Sequence, residues 1–233
     1  MNPRISIIIP VFNQAEFLEE SIESVYNQTQ SAHEIIIVDD GSQDTSREIA
    51  ERYMFKEFPG IESPVRVIHQ VNKGLPAARN TGIMNATGDY CFFLDADDIL
   101  KENAIARFTQ EILRTNADII APSFKEFGIS DREVVLGEFT MDDLKVANRL
   151  GYFACIRRSA LLECGGYSPR MRWGWEDWHL WFELFSRNKT AAILKEILVL
   201  YRVKEKSMIY EANEHADELY AQMKKDFPLI WPK

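Results

Sequence analysis

The sequence predicts an α/β protein, an open parallel sheet with helices on both faces. Two observations carry this. Short apolar runs alternate with helical patterns four times in the first 100 residues. Two of those runs end abruptly in carboxylates, Asp39-Asp40 and Asp95/Asp97/Asp98, at the strand ends where such sheets take up ligands.

The elements follow in order. Ile5 to Ile9 is a β-branched run of the kind buried on both faces of a parallel sheet. Leu18, Ile22 and Val25 fall at i, i+4, i+7, with Glu16, Glu19 and Glu20 near the start of that helix. Glu34 to Val38 is the second strand. A helix from about Thr45 to Phe58 is closed by Pro59-Gly60. Val65 to His69 is the third strand, and the next helix starts near Leu75-Pro76, where proline suits the first turn. Tyr90 to Leu94 is the fourth strand.

The second half is less regular. We expect a helix over Ala104 to Arg114, a short strand at Asp118 to Ala121, and a hairpin or an excursion over the sheet at 125–139. Thr140 supplies a capping hydroxyl to a helix start. Tyr152 to Ile156 is strand-like, and Ser159 to Glu163 is a short helix stopped by Gly165-Gly166. Glu176 to Arg187 is helical, Ala191 to Val203 extended, and Ala212 to Lys225 an amphipathic helix. With no repeat or linker, one domain over 1–233 is expected: a ligand-binding half (1–100), a second half (101–210), and a C-terminal helix and tail (211–233).

The 27 Lys and Arg against 36 Asp and Glu leave a formal charge of −9. That argues against a nucleic-acid surface, since phosphate neutralisation needs clustered cations. It leaves room for one small anionic ligand held by a metal ion or a few basic groups. No stretch approaches the ~20 apolar residues of a membrane-spanning helix, and the N-terminus shows no basic-then-apolar leader. Cys91, Cys155 and Cys164 form no C-x-x-C pair, and an odd count is a poor disulfide framework. A soluble, cytoplasmic protein in a reducing compartment is expected, with Cys91 and Cys155 as core thiols.

Four segments could carry chemistry. Asp95-Ala96-Asp97 follows a buried strand, and two carboxylates one residue apart can approach one hard cation such as Mg²⁺ or Mn²⁺; alternatively Asp98 caps the following helix. Asp39 can accept a hydrogen bond from a base or ribose, while Gly41 makes the turn. Arg79, early in a helix at a strand's carboxyl end, is aimed at the ligand crevice or else forms a surface ion pair. In Trp173-Gly174-Trp175-Glu176-Asp177-Trp178, Glu176 and Asp177 lie about 100° apart around a helix and so do different jobs. A carboxylate there, in an aromatic and partly desolvated pocket, has its pKa raised and becomes a credible general base. Neither a phosphate-loop nor a dinucleotide glycine motif occurs, and no His/Cys cluster or nucleophile turn.

Taken in order, Ser6 to Asn13, Val38 to Thr45, Asn72-x-Gly74 through Arg79-Asn80-x-Gly82, Leu94 to Asp98 and Trp175-Glu176-Asp177-Trp178-x-Leu180 resemble the family 2 glycosyltransferases, inverting enzymes with the GT-A fold. The resemblance implies a Rossmann-like open mixed sheet, mostly parallel, flanked by helices. It implies a nucleotide-sugar donor, usually a UDP-sugar, bound with Mn²⁺ or Mg²⁺. It also implies a carbohydrate or lipid-linked sugar acceptor, as in polysaccharide or glycolipid synthesis. By position, Pro10 and Phe12 would line the base pocket, Asp39 would bond the uracil, and Arg79 would lie beside base or diphosphate. Asp95 would touch ribose or metal, Asp97 would ligate the metal, and Asp177 would be the base, with Glu176 near acceptor or donor sugar. Trp173 and Trp175 would stack on a sugar ring or simply pack.

One departure stands out. Where many relatives carry a histidine after Tyr201-Arg202, this chain has Lys204, which could pair with a diphosphate as a point charge. Two rival readings are a catalytically silent nucleotide-sugar-binding module and a nucleotidyltransferase; the latter would want a Gly-rich basic loop after the first strand, where Pro10-Val11-Phe12-Asn13 stands. The apolar tail Phe227 to Lys233 rests on the core, touches a membrane carrying a lipid-linked acceptor, or mediates a homodimer.

Overall fold

The computed structural model describes residues 2–55, 64–205 and 212–231. Its strands are β1 (Ile5–Val11), β2 (Glu34–Asp39), β3 (Val65–His69), β4 (Tyr90–Phe93), β5 (Ile99–Leu100), β6 (Ile119–Gly128), β7 (Glu133–Val134), β8 (Cys155–Arg157) and β9 (Ala191–Val203). The helices are α1 (Leu18–Tyr26), α2 (Ser46–Tyr53), α3 (Leu75–Asn85), α4 (Ala104–Thr115), α5 (Met141–Val146), α6 (Arg158–Cys164), α7 (Glu176–Ser186) and α8 (Ala216–Asp226).

The nine strands among the described residues form one mixed sheet in the order β3-β2-β1-β4-β8-β6-β9-β5, with β7 hairpinned onto β6. β1, β2, β3, β4, β6 and β9 point one way, while β5, β7 and β8 run against them. From β1 the chain first winds outward to β2 and β3, then returns to place β4 on the opposite side of β1. The order therefore reverses between β1 and β4, and a crevice opens beyond their carboxyl ends.

Alternation along the strands sorts the core into two layers. Ile7, Ile9, Ile35, Ile37 and Phe92 pack with Leu18, Ile22 and Phe108 on one face. Ile8, Ile36, Val38 and Phe93 face Ala78, Ile83, Leu161 and Trp181 on the other. Helix α3 lies tight on β1: a Cβ at Gly82 would fall inside contact distance of Ile8 Cγ2, so the helix needs glycine there. Cys91 and Cys155 are buried thiols.

Several boundaries differ from the sequence reading. The strand expected at Asp118 to Ala121 continues to Gly128, passing Pro122 through a register shift against β9 where a missing N–H is tolerated. Residues beyond it do form a hairpin. Tyr152 is outside β8 and turns its hydroxyl to Asp98. The two-residue β5 was not expected. Asp98 does not cap α4, whose N-cap is Asn103; its carboxyl is buried instead. Thr140 does cap α5, in a reciprocal box with Asp143. Pro59-Gly60 lies outside the described residues. The tail up to Trp231 packs on α7, with the Trp231 ring 4.8 Å from that of Phe182.

Candidate active site

Two cavities adjoin at the carboxyl edge of the sheet. The first, of about 440 Å³, is lined by Pro10 and Phe12 at the end of β1, by Asp40, by Asp95 and Asp97 after β4, and by Lys204 after β9. The second, of about 520 Å³, is lined by Arg79, Trp175, Glu176, Asp177 and Asn148 among others. Leu75, Asp95 and Tyr201 belong to both walls.

The turn after β2 consumes its two carboxylates locally. Asp39 accepts from Ser42 N at 2.9 Å and lies 3.1 Å from His69 Nδ1. Burial alone would raise its pKa, but these hydrogen bonds outweigh burial and hold the carboxyl below its ordinary value. Asp40 accepts from Gln70 Nε2 and from the Lys73 and Gly74 amides at 2.6, 2.9 and 2.8 Å. Gly74, at φ 85°, makes the left-handed entry to α3 that brings those amides round. Asp40 thus lines the first cavity, and Asp39 sits behind it in contact with His69.

Every carboxylate of the Asp95 to Asp98 loop has a protein partner. Asp95 Oδ1 is 2.8 Å from Arg79 Nη2, and Asp97 Oδ2 is 2.5 Å from Lys204 Nζ. Asp98 accepts from the Tyr152 hydroxyl and, at 2.6 Å, from Arg202 N. Burial and the neighbouring charges of Asp97 and Asp95 push the Asp98 carboxyl well up. Burial also raises Asp95, with Arg79 opposing it. Among the described residues no three His, Cys, Asp or Glu side chains cluster as a metal cage. Asp95 and Asp97 nonetheless fit a hard cation that completes its shell with substrate oxygens, which is how Mg²⁺ is commonly held.

Arg79 ties the two cavities together. Its guanidinium is 1% exposed, lies over the rings of Tyr152 and Tyr167 at 5.0 and 5.2 Å, and reaches Glu176 Oε1 at 2.5 Å. Burial would lower its pKa, yet Asp95 and Glu176 keep it raised well above the usual value. Glu176 therefore points inward. Asp177, one residue on, faces the second cavity, accepting from Trp178 N and Asn148 Nδ2, each at 2.7 Å. Burial and then the Glu176 charge push its carboxyl up to about 7. The backbone entering α7 is unusual: Trp175 has φ 58°, rare for a bulky residue, which lays its ring on Trp178 and along the cavity wall. Trp173 lies elsewhere, stacked on His215 at 4.2 Å.

Pro10, Phe12, Arg79, Asp95, Asp97, Lys204, Trp175, Glu176 and Asp177 are thus brought to the two cavities; Asp39 and Trp173 are not on their walls. Sequence reading missed Asn148 and Tyr152, and of the strand-end pair Asp39-Asp40 it chose Asp39, where the structure puts Asp40 on the cavity wall. Tyr201 stood beside a noted motif, whereas Asn148 has no pattern in one sequence that would single it out.

The model of a family described as Glycosyl transferase family 2 matches residues 6–179. An uncharacterized glycosyltransferase, EpsJ of Bacillus subtilis (strain 168), is 36% identical over 189 residues, covering 80% of this chain and 50% of its own. Glycosyltransferase GlyG of Streptococcus pneumoniae serotype 4 is 39% identical over 132 residues, 56% of this chain and 42% of that one. The chain spans half or less of the length of these two relatives. The crystal structure of S. aureus TarS 1–349 in complex with UDP-GlcNAc superposes with a TM-score of 0.74 at 16% identity, covering 99% of this chain and 76% of that one; at that identity the likeness speaks to the fold. Sequence order, sheet and family match agree, and the chain belongs to glycosyl transferase family 2.

Proposed function

We propose that the protein is an inverting glycosyltransferase that moves a sugar from a nucleotide-sugar to an acceptor hydroxyl, with Asp177 as general base. One observation carries the reading. Asp95 forms a wall common to both cavities, so a donor diphosphate beside Asp95 and Asp97 would present its sugar toward Asp177. The fold likeness to TarS, crystallised with UDP and with UDP-GlcNAc, supports a UDP-sugar as donor.

In this reading Pro10 and Phe12 flank the base of the nucleotide, and Asp97 with Asp95 would hold Mn²⁺ or Mg²⁺. The bound cation would offset negative charge on the departing diphosphate. Asp177 takes the proton from the acceptor hydroxyl as that oxygen attacks the anomeric carbon from the face opposite the diphosphate; inverting glycosidases use the same geometry with water. A carboxyl near 7 suits that task, since a base works best with its pKa close to the working pH. Glu176 is held by Arg79 and fixes the start of α7, and Trp175 offers the acceptor an aromatic face. A carbohydrate or lipid-linked sugar acceptor fits that wall, in polysaccharide or glycolipid synthesis at the cytoplasmic side of a membrane.

Incubation with a panel of nucleotide-sugars and Mn²⁺ tests the reading. Release of UDP with a glycosylated product is expected. Pyrophosphate release would favour a nucleotidyltransferase, and binding without turnover would favour a silent module.

A further inference from the structure

The donor cavity has three basic residues on its wall among the described residues: Arg172, Arg202 and Lys204. Arg202 is spent on structure. Its Nε donates to Asp97 O at 2.8 Å, its terminal nitrogen pairs with Glu20, and its guanidinium lies over Phe17 and Phe127. Arg172 is exposed, with its guanidinium 4.6 Å from the ring of Trp173. Lys204 is different. Its side chain is 26% exposed, its ammonium lies 2.5 Å from Asp97 Oδ2, and its second contact is Gln14 Oε1 at 3.3 Å. Both partners line the cavity.

We propose that Lys204 is a resident cation for Asp97. In the donor-free protein it neutralises this carboxylate and keeps divalent ions off it; a nucleotide diphosphate then draws the ammonium onto its own phosphate oxygens and frees Asp97. This rests on the reading of the first cavity as the diphosphate site. Three features support it. An ammonium and a divalent ion compete for the same carboxylate oxygen. Lys204 is a flexible point charge that can swing between two anions, as a planar, doubly bonded arginine would not. Asp95 is already paired with Arg79 at 2.8 Å, so Asp97 is the carboxylate of the two whose cation can leave with the substrate.

The test is titration of Mn²⁺ alone into nucleotide-free protein, with free ion followed by electron paramagnetic resonance. Lys204→Met is expected to bind Mn²⁺ at least about tenfold more tightly than wild type, the effect of one charge-assisted contact removed. Lys204→Arg keeps a cation at Asp97 and is expected to stay close to wild type, which a purely steric role for the side chain would not require. With EDTA present, UDP is expected to bind wild type several-fold more tightly than Lys204→Met. Equal Mn²⁺ affinities in wild type and Lys204→Met overturn the proposal, and equal UDP affinities in EDTA overturn the transfer of the ammonium to the diphosphate. Should wild type bind no nucleotide diphosphate under any condition, the donor reading fails, yet the Mn²⁺ comparison still decides whether Lys204 guards Asp97.

Discussion

Arg79 Nη1 lies 2.5 Å from Glu176 Oε1, joining the helix after β3 to the helix that carries Asp177. The contact is buried on both sides, with side-chain exposures of 1% and 7%. The same guanidinium reaches Asp95, so one cation holds the Asp95 to Asp98 loop and the start of α7 in fixed relation.

Removing that cation leaves the buried Glu176 carboxylate, and the partly exposed Asp95 beside it, without their shared partner. Arg79→Met is expected to lower unfolding free energy by about 3–5 kcal/mol, the cost of stripping one partner from a buried ion pair. Urea denaturation of the variant beside wild type measures it. A loss under 1 kcal/mol would mean that the carboxylates find other partners or take up protons cheaply.

Gly82 tests the seat of α3 on the sheet. Alanine ordinarily stabilises a helix interior relative to glycine by about 1 kcal/mol. Here the added Cβ meets Ile8 on the fully buried β1. Gly82→Ala is therefore expected to destabilise, by about 1–3 kcal/mol as overpacking does, and thermal unfolding reads the sign directly.

Much of this was legible in the sequence. Ile5 to Ile9 and Glu34 to Val38 have no competing pattern, so composition alone assigns them, and β9 runs between the expected residues, Ala191 and Val203. The carboxylates after β2 and β4 fall at the sheet edge because the strands before them are buried on both faces. What a single sequence hides is which partner each polar group chooses. Asp98 reads as a cap until Tyr152, 54 residues away, is folded onto it. The pairing of Asp39 with His69 depends on strand register, and β5 is too short to carry any periodicity.

The Asp177 carboxyl gives a stability signature. Its folded pKa, about 7, lies above the ordinary aspartate value of 3.8. Between those two values the folded chain holds a proton that the unfolded chain gives up, so this contribution to stability is complete at low pH and is lost as pH rises through about 7. Wild type is thus expected to lose stability relative to Asp177→Asn between about pH 4 and pH 7, and to level off above that. Parallel pH profiles of the two unfolding midpoints would contradict the raised value.

Asn148 tunes the same group. Its amide donates to Asp177 Oδ2 and favours the ionised form. Asn148→Ala removes that donor, so the acid limb of the transfer rate is expected to move to higher pH, with the plateau rate less affected. An unmoved limb would show that the amide does not act on the titrating carboxyl.

The central claim, that Asp177 removes the acceptor proton, is tested most directly by measuring sugar transfer and donor binding on one preparation of Asp177→Asn. A positioned base contributes about 10²–10⁴-fold. Transfer is expected to fall by that order while the donor dissociation constant stays within about twofold of wild type. Transfer at the wild-type rate would contradict the assignment.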